Sequence, residues 1–135
     1  MQENIVQISS SQVNEDGQDL THTPLQVVSY KEALIAYDAY DWARDLASLN
    51  TFGMSGGFYI GKGDRSPMYT ESNIMSEEDN KVSLSLDILV DKGFLGLFGG
   101  KKLSRSFDDI SHAEAKNIIR DIYELSEDQL VDKYS

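Results

Sequence analysis

Three aspartates repeat at helical spacing, and they are the first side chains in this sequence that could do chemistry. Asp38, Asp41 and Asp45 lie three and four residues apart, which places their carboxylates along one flank of a helix. Carboxylates with no histidine or cysteine nearby in the sequence suit a hard cation such as magnesium, or a basic protein surface. An interface requires no strict carboxylate geometry, so we predict partner binding, beside the simpler alternative of a solvated helix flank.

Two tyrosines and two lysines complete the predicted partner-binding set. Tyr37 and Tyr40 project further round the helix that carries the aspartates. Lys101 and Lys102 follow the apolar run 94–98 and a pair of glycines. That run could enter a membrane interface or a groove on a partner. Short apolar runs between turns usually belong to a core, so we predict a buried hairpin whose tip reaches solvent near the two lysines.

A glycine-rich stretch has only part of the pattern of a phosphate-binding loop. Gly57, Gly61 and Lys62 have the required spacing, yet Gly63 occupies the position of the Ser or Thr that binds the metal of a nucleotide. No helix pattern follows that could present its N-terminus to a phosphate. We therefore predict a hairpin turn over 61–64, with no cofactor and no metal site.

The two histidines give little basis for catalysis. His22 lies in a polar segment, and His112 lies at the first turn of a predicted helix, beside Asp108 and Asp109. Neither accompanies a nucleophile motif with a positioned third group, which triad chemistry requires. We predict no catalytic residue, and the sequence favours a binding protein over an enzyme.

Composition and charge narrow the class of partner. The chain of 135 residues has 12 Lys and Arg against 23 Asp and Glu, a net charge of −11 at pH 7. This excess repels nucleic-acid phosphates and anionic lipids, so we predict a protein partner with a basic surface, no nucleic acid and no membrane. The absence of cysteine excludes disulfides and a cysteine nucleophile. Since neither a secretory signal nor a long apolar run is present, we expect a soluble, cytoplasmic protein.

The candidate aspartates depend on one long predicted helix. Ser29 and Glu32 form a capping-box pattern at its start, and apolar residues then recur at helical spacing. The predicted helix covers 30–49. Its apolar stripe consists of Ile35, Ala39, Trp42, Leu46 and Leu49.

The rest of the pattern predicts strands followed by helices, and we assign the chain to the α+β class. Apolar and polar residues alternate over 82–90 and 103–107, and 58–60 is a shorter candidate strand. Capping-box pairs beginning at Ser111 and Ser126 predict two further helices. We expect an antiparallel meander of about three to five strands, with two amphipathic helices packed on one face and a short C-terminal helix.

The domain organisation is predicted from the change in composition near Leu25. Residues 1–24 form a polar, partly mobile segment, in which 9–23 is a loop. Residues 25–135 form a single α+β domain.

These inferences lead to one functional hypothesis and two alternatives. The leading hypothesis is a small acidic binding protein, an inhibitor or immunity-type protein that occludes a basic effector. The first alternative is a chaperone or scaffold that holds a hydrophobic segment against the glycine-rich face. The second is a small enzyme or ligand-binding domain with a pocket between helix and sheet.

Overall fold

A computed structural model describes residues 6–14, 16–63, 70–89 and 101–135 of the chain. The strands are β1 (Val6–Val13), β2 (Leu20–Val27), β3 (Gly57–Lys62), β4 (Thr70–Glu77), β5 (Lys81–Leu89) and β6 (Lys101–Ser111). The helices are α1 (Tyr30–Ala39), α2 (Trp42–Phe52), α3 (His112–Glu124) and α4 (Glu127–Tyr134). The strands form one antiparallel sheet in the order β2-β1-β3-β4-β5-β6.

The α+β class is confirmed, although the described residues form a sheet of six strands where three to five were expected. Three of the predicted strands correspond to β3, β5 and β6. β4 was not predicted, because Thr70, Ser72 and Ser76 occupy buried positions at which an apolar pattern would have indicated a strand. Gly61 and Lys62, expected in a turn, instead belong to β3 and pair with β1 and β4.

The prediction of a loop over 9–23 is wrong in part, because 9–13 belong to β1 and 20–23 belong to β2. β1 lies inside the sheet, between β2 and β3, and Val6 and Ile8 at its start belong to the core. β1 and β2 pair as an antiparallel hairpin. Serine, threonine and glutamine fill half of the positions of β1 and β2, so the composition indicated a loop. The strands nevertheless form because the backbone supplies the hydrogen bonds between them.

The long helix predicted over 30–49 is two helices. Tyr40 ends α1 with extended backbone, and α2 begins after the N-cap Asp41, whose carboxylate accepts the amide of Arg44 at 3.0 Å. An aspartate in this position satisfies amides at the start of a helix and therefore favours a new N-terminus. The predicted apolar stripe is wrong in part, since Ile35 is 61% exposed.

One hydrophobic core lies between the sheet and the helices. The apolar residues that alternate along β5 are buried, as predicted, and pack with buried side chains of α1, α3 and α4. Other strands contribute Phe58, Ile60 and Ile74 to the same core. On the opposite pleat face, Ser85 is half-buried and Asn73 is exposed. The sheet therefore has an apolar face under the helices and a more polar open face.

All three capping boxes predicted from the sequence are present. In each, the hydroxyl of the N-cap serine accepts the amide of the residue three positions on, whose side chain accepts the serine amide in return. They begin α1 at Ser29, α3 at Ser111 and α4 at Ser126. Within the described ranges, no helix is both long and apolar enough to span a membrane. The predicted hairpin at 94–98 lies outside the described residues.

Candidate functional site

The predicted partner-binding residues do not share one surface. Tyr37 and Tyr40 are buried, and Asp45 is 1% exposed. The prediction that these three side chains face outward is therefore wrong. The break between α1 and α2 explains the error, because spacing argues for a shared face only along one continuous helix.

Asp45 holds α2 against the sheet. Its Oδ1 accepts the amide of Gly56 at 2.7 Å, and its Oδ2 accepts the amide of Ser76 at 3.2 Å. The hydroxyl of Ser76 in turn donates to the carbonyl of Trp42 at 2.8 Å. A buried carboxylate needs such donors to offset the loss of water, and here the backbone supplies them.

The other four residues of the predicted set occupy three separate places. Asp38 forms an ion pair with Lys116 at 2.6 Å, which links α1 to α3. Asp41 is exposed and caps α2. Lys101 and Lys102 are the first residues of β6. That these four residues bind a partner stays a prediction.

A denser acidic surface lies where the turn between β4 and β5 approaches β6. Glu77, Glu78 and Asp79 lie at this turn, and Asp108 and Asp109 lie in β6; we call these five residues the acidic end. The amide of Asp109 donates to Oε1 of Glu77 at 3.4 Å, which joins the two segments. All but Glu77 are exposed, so the negative charge faces solvent.

Backbone irregularities shape the acidic end. Asp79, Asn80 and Asp109 have φ values of 61°, 57° and 61°, in the left-handed region. Aspartate and asparagine enter this region more readily than other residues that carry a side chain. The pairing of β5 with β6 also shifts between Val82 and Leu84, which is a bulge in the ladder. The sharp turn and the bulge are therefore both built from residue types that suit them.

A groove of about 210 Å³ opens beside the acidic end, and we call it the Trp42 groove. Trp42, the chain's one tryptophan, lines it together with Ala43 and Leu46 from α2. The polar residues that line it include Glu77, Asn80, Lys81 and His112. Lys81 lies directly opposite Glu77 in the register of β4 and β5. A lining that combines aromatic and apolar side chains with charged ones is typical of protein interfaces.

His112 is held in the groove by Tyr37. The Tyr37 hydroxyl lies 2.8 Å from Nδ1 of His112, and the Trp42 ring centroid lies 5.3 Å from that of His112. Burial lowers the pKa of His112, and Lys116 lowers it further, whereas Asp38 opposes them. Burial also raises the pKa of Tyr37, whose protonated hydroxyl can donate to a neutral imidazole. The pair therefore forms a neutral, ordered wall of the groove.

Charge is distributed unevenly across the sheet. Counting histidine as neutral, β1, β2 and β3 contain one charged residue, Lys62, and this lysine is 6% exposed. The acidic end lies in the other half, formed by β4, β5 and β6. The sheet thus has a neutral half and a charged half, in which lysines and an arginine accompany the acidic end.

Two further concave sites lie on the neutral half. One, of about 250 Å³, lies between α1 and the β1–β2 pair and is lined by residues such as Ala36 and Tyr40. Its lining contains no carboxylate, imidazole or amine. The other, of about 310 Å³, includes Ser9, Tyr59 and Met75. In the part of the chain that the structure describes, no cluster of three or more histidine or acidic residues could hold a metal ion.

Comparisons of the chain with known protein families, with curated proteins and with solved structures find no match. Its function is therefore inferred from the chemistry of its surfaces.

The sequence contains the carboxylates of the acidic end but does not show that they form one surface. The pair 108–109 was noted only for its position beside His112, and the carboxylates at 77–79 were given no functional role. The sequence did not indicate that these two segments lie side by side, because β4 was not recognised as a strand. Their proximity depends on the antiparallel order of β4, β5 and β6.

Proposed function

We propose that this protein is a small acidic binding protein that covers a basic surface of a partner protein, as an inhibitor of the immunity type. The observation that carries the proposal is the contiguity of the acidic end and the Trp42 groove, which share Glu77. The acidic end attracts and orients the partner, and the groove holds one of its side chains. The bound protein then blocks the surface by occupying it.

The acidic end supports fast and selective association. Exposed carboxylates on a chain of net charge −11 attract a basic surface and repel acidic ones. This attraction acts mainly on the association rate, and it is screened over about 8 Å at physiological ionic strength. A protein that binds nucleic acid has a basic surface of this kind, so an effector that acts on nucleic acid fits the acidic end.

The Trp42 groove supports retention of the bound partner. Buried aromatic anchors often account for about 2 kcal/mol or more of binding energy each. A lysine or arginine of the partner can lay its aliphatic stem along Trp42, with its charged head toward the acidic end. Lys81 offsets Glu77 inside the groove, so the wider acidic end supplies the excess negative charge.

The experiment that tests this function is quantitative capture of a partner by charge variants. The acidic-end variant carries Glu78→Gln, Asp79→Asn and Asp108→Asn. The control carries Glu124→Gln, Asp128→Asn and Asp132→Asn, which make the same charge change at exposed positions of α3 and α4. Each tagged protein is mixed with lysate of the native host, and retained proteins are identified and quantified.

We expect the wild type and the control to retain the same basic protein in stoichiometric amount. The acidic-end variant should retain much less of it, with a slower association rate, and raised salt should have the same effect on the wild type. Equal retention by the two variants would overturn the proposal, as would binding that is insensitive to salt.

A further inference from the structure

We propose that β2 is a homodimer interface, in which the β2 strands of two copies pair antiparallel and join their sheets into one. The inference rests on the juxtaposition of an exposed edge strand with an uncharged surface, in a chain of net charge −11. It is independent of the proposed function, because β2 belongs to the neutral half of the sheet.

β2 presents both a hydrogen-bonding edge and apolar side chains. It ends the order of the sheet and pairs there with β1 alone among the described strands. Every residue over 21–27 is exposed, and the exposed fractions of Leu25 and Val27 are 51% and 64%. The outer side of an edge strand offers backbone N–H and C=O groups to a second strand. Pairing with a second strand would therefore give the backbone groups of this edge hydrogen-bond partners, and it would bury the two apolar side chains.

Charge indicates that the second strand comes from another copy. No charged residue lies between Asp19 and Lys31, and β1, the neighbour of β2, has none. Two copies of this chain repel each other over acidic surfaces, and the uncharged strip lets them approach with the least repulsion. A basic partner meets no carboxylate on β2, so the electrostatic attraction proposed for the acidic end does not apply there.

The opposite edge of the sheet explains why pairing would end at two copies. β6 carries the charges of Arg105, Asp108 and Asp109, and charged side chains on an edge oppose pairing. α4 also packs against β6, where the Phe107 and Tyr134 ring centroids lie 5.7 Å apart. Pairing of β2 with its own copy uses the same edge on both, which closes the assembly as a symmetric dimer.

Pro24 limits how many hydrogen bonds β2 can form with the β2 strand of a second copy. Ser10 pairs with Thr23 and Ile8 with Gln26, so Pro24 lies in a bulge of β2. Proline has no N–H to donate, and a bulge interrupts regular pairing. We therefore expect a reversible dimer whose population depends on concentration.

The test is sedimentation velocity of the purified full chain over about a hundredfold range of concentration. It is run at about pH 8, where an ordinary histidine is uncharged. We expect the mass to rise from 15.1 kDa toward twice that value as concentration increases. Added salt should strengthen the dimer, because it screens the repulsion between copies, whereas salt should weaken the binding proposed above.

Val27→Lys places a like charge on both copies at the interface and should weaken dimerisation by about tenfold or more. Ile35→Lys is the matched control, because it makes the same charge change at an apolar residue 61% exposed on α1, and it should keep the dimer. Circular dichroism checks that both variants are folded.

Amide exchange of the wild type should slow over 21–27 as concentration rises. A monomer at every concentration and salt, or equal dimerisation of the two variants, would overturn the inference.

Discussion

The ammonium of Lys62 donates to the carbonyl of Ile122 at 2.6 Å, which links the middle of the sheet to the end of α3. It also donates to the carbonyl of Leu125 at 2.8 Å. Carbonyls in the last turn of a helix have no partner within the helix, and a positive charge there is favoured by the helix dipole. Burial lowers the pKa of Lys62, and Glu127 opposes this effect. Lys62 therefore acts as a buried cap of α3.

Lys62→Met should lower the free energy of unfolding by about 1–3 kcal/mol, because the carbonyls that it caps lose their donor. Urea unfolding measures the change, and amide exchange should accelerate at the end of α3. Lys31→Met is the control, since Lys31 is exposed on α1, and it should change stability by less than about 0.5 kcal/mol. Equal stability of the two variants would show that the cap does not stabilise the fold.

Asp45→Asn should be destabilising by about 2–3 kcal/mol, because a carboxamide has one acceptor oxygen where two backbone amides need one each. Asp41→Asn makes the same chemical change at the N-cap of α2, where asparagine caps as well as aspartate. It should unfold within about 0.5 kcal/mol of the wild type. Comparable urea midpoints for the two variants would contradict the anchoring role of Asp45.

These contacts show which parts of the structure the sequence could predict. Capping boxes and the alternation along β5 are local patterns, so they were predicted correctly. The role of Asp45 depends on amides that are 11 and 31 residues away in the sequence, and no local pattern reports such contacts. β4 was missed because its buried positions include Thr70, Ser72 and Ser76. The candidate site was therefore predictable as acidic segments but not as one surface.

Acidification should weaken the fold through His112. Its pKa is lowered in the folded protein, so the unfolded chain takes up this proton at a higher pH than the folded chain does. The free energy of unfolding should therefore fall as the pH decreases through about 6.5, the ordinary pKa of histidine. Urea unfolding at a series of pH values measures this slope.

His112→Gln removes the titrating group and should flatten that slope. His22→Gln is the matched control, because it makes the same chemical change at an exposed position of β2. If the His112 variant loses stability with acid as steeply as the wild type does, groups other than this imidazole carry the dependence.

Filling the Trp42 groove without a change of charge should lower the affinity of the protein for its partner. Ala43 lines the groove at an exposed position, so Ala43→Gln places a longer neutral side chain at the proposed contact. We expect at least about a tenfold loss of affinity for the captured partner, mostly through faster dissociation. Ala47→Gln is the control, since Ala47 is exposed on the same helix but does not line the groove. Both should melt near the wild-type temperature, and Trp42 fluorescence should respond to the partner in the control alone. Unchanged affinity of Ala43→Gln would exclude the groove from the interface and leave the acidic end as the sole contact proposed.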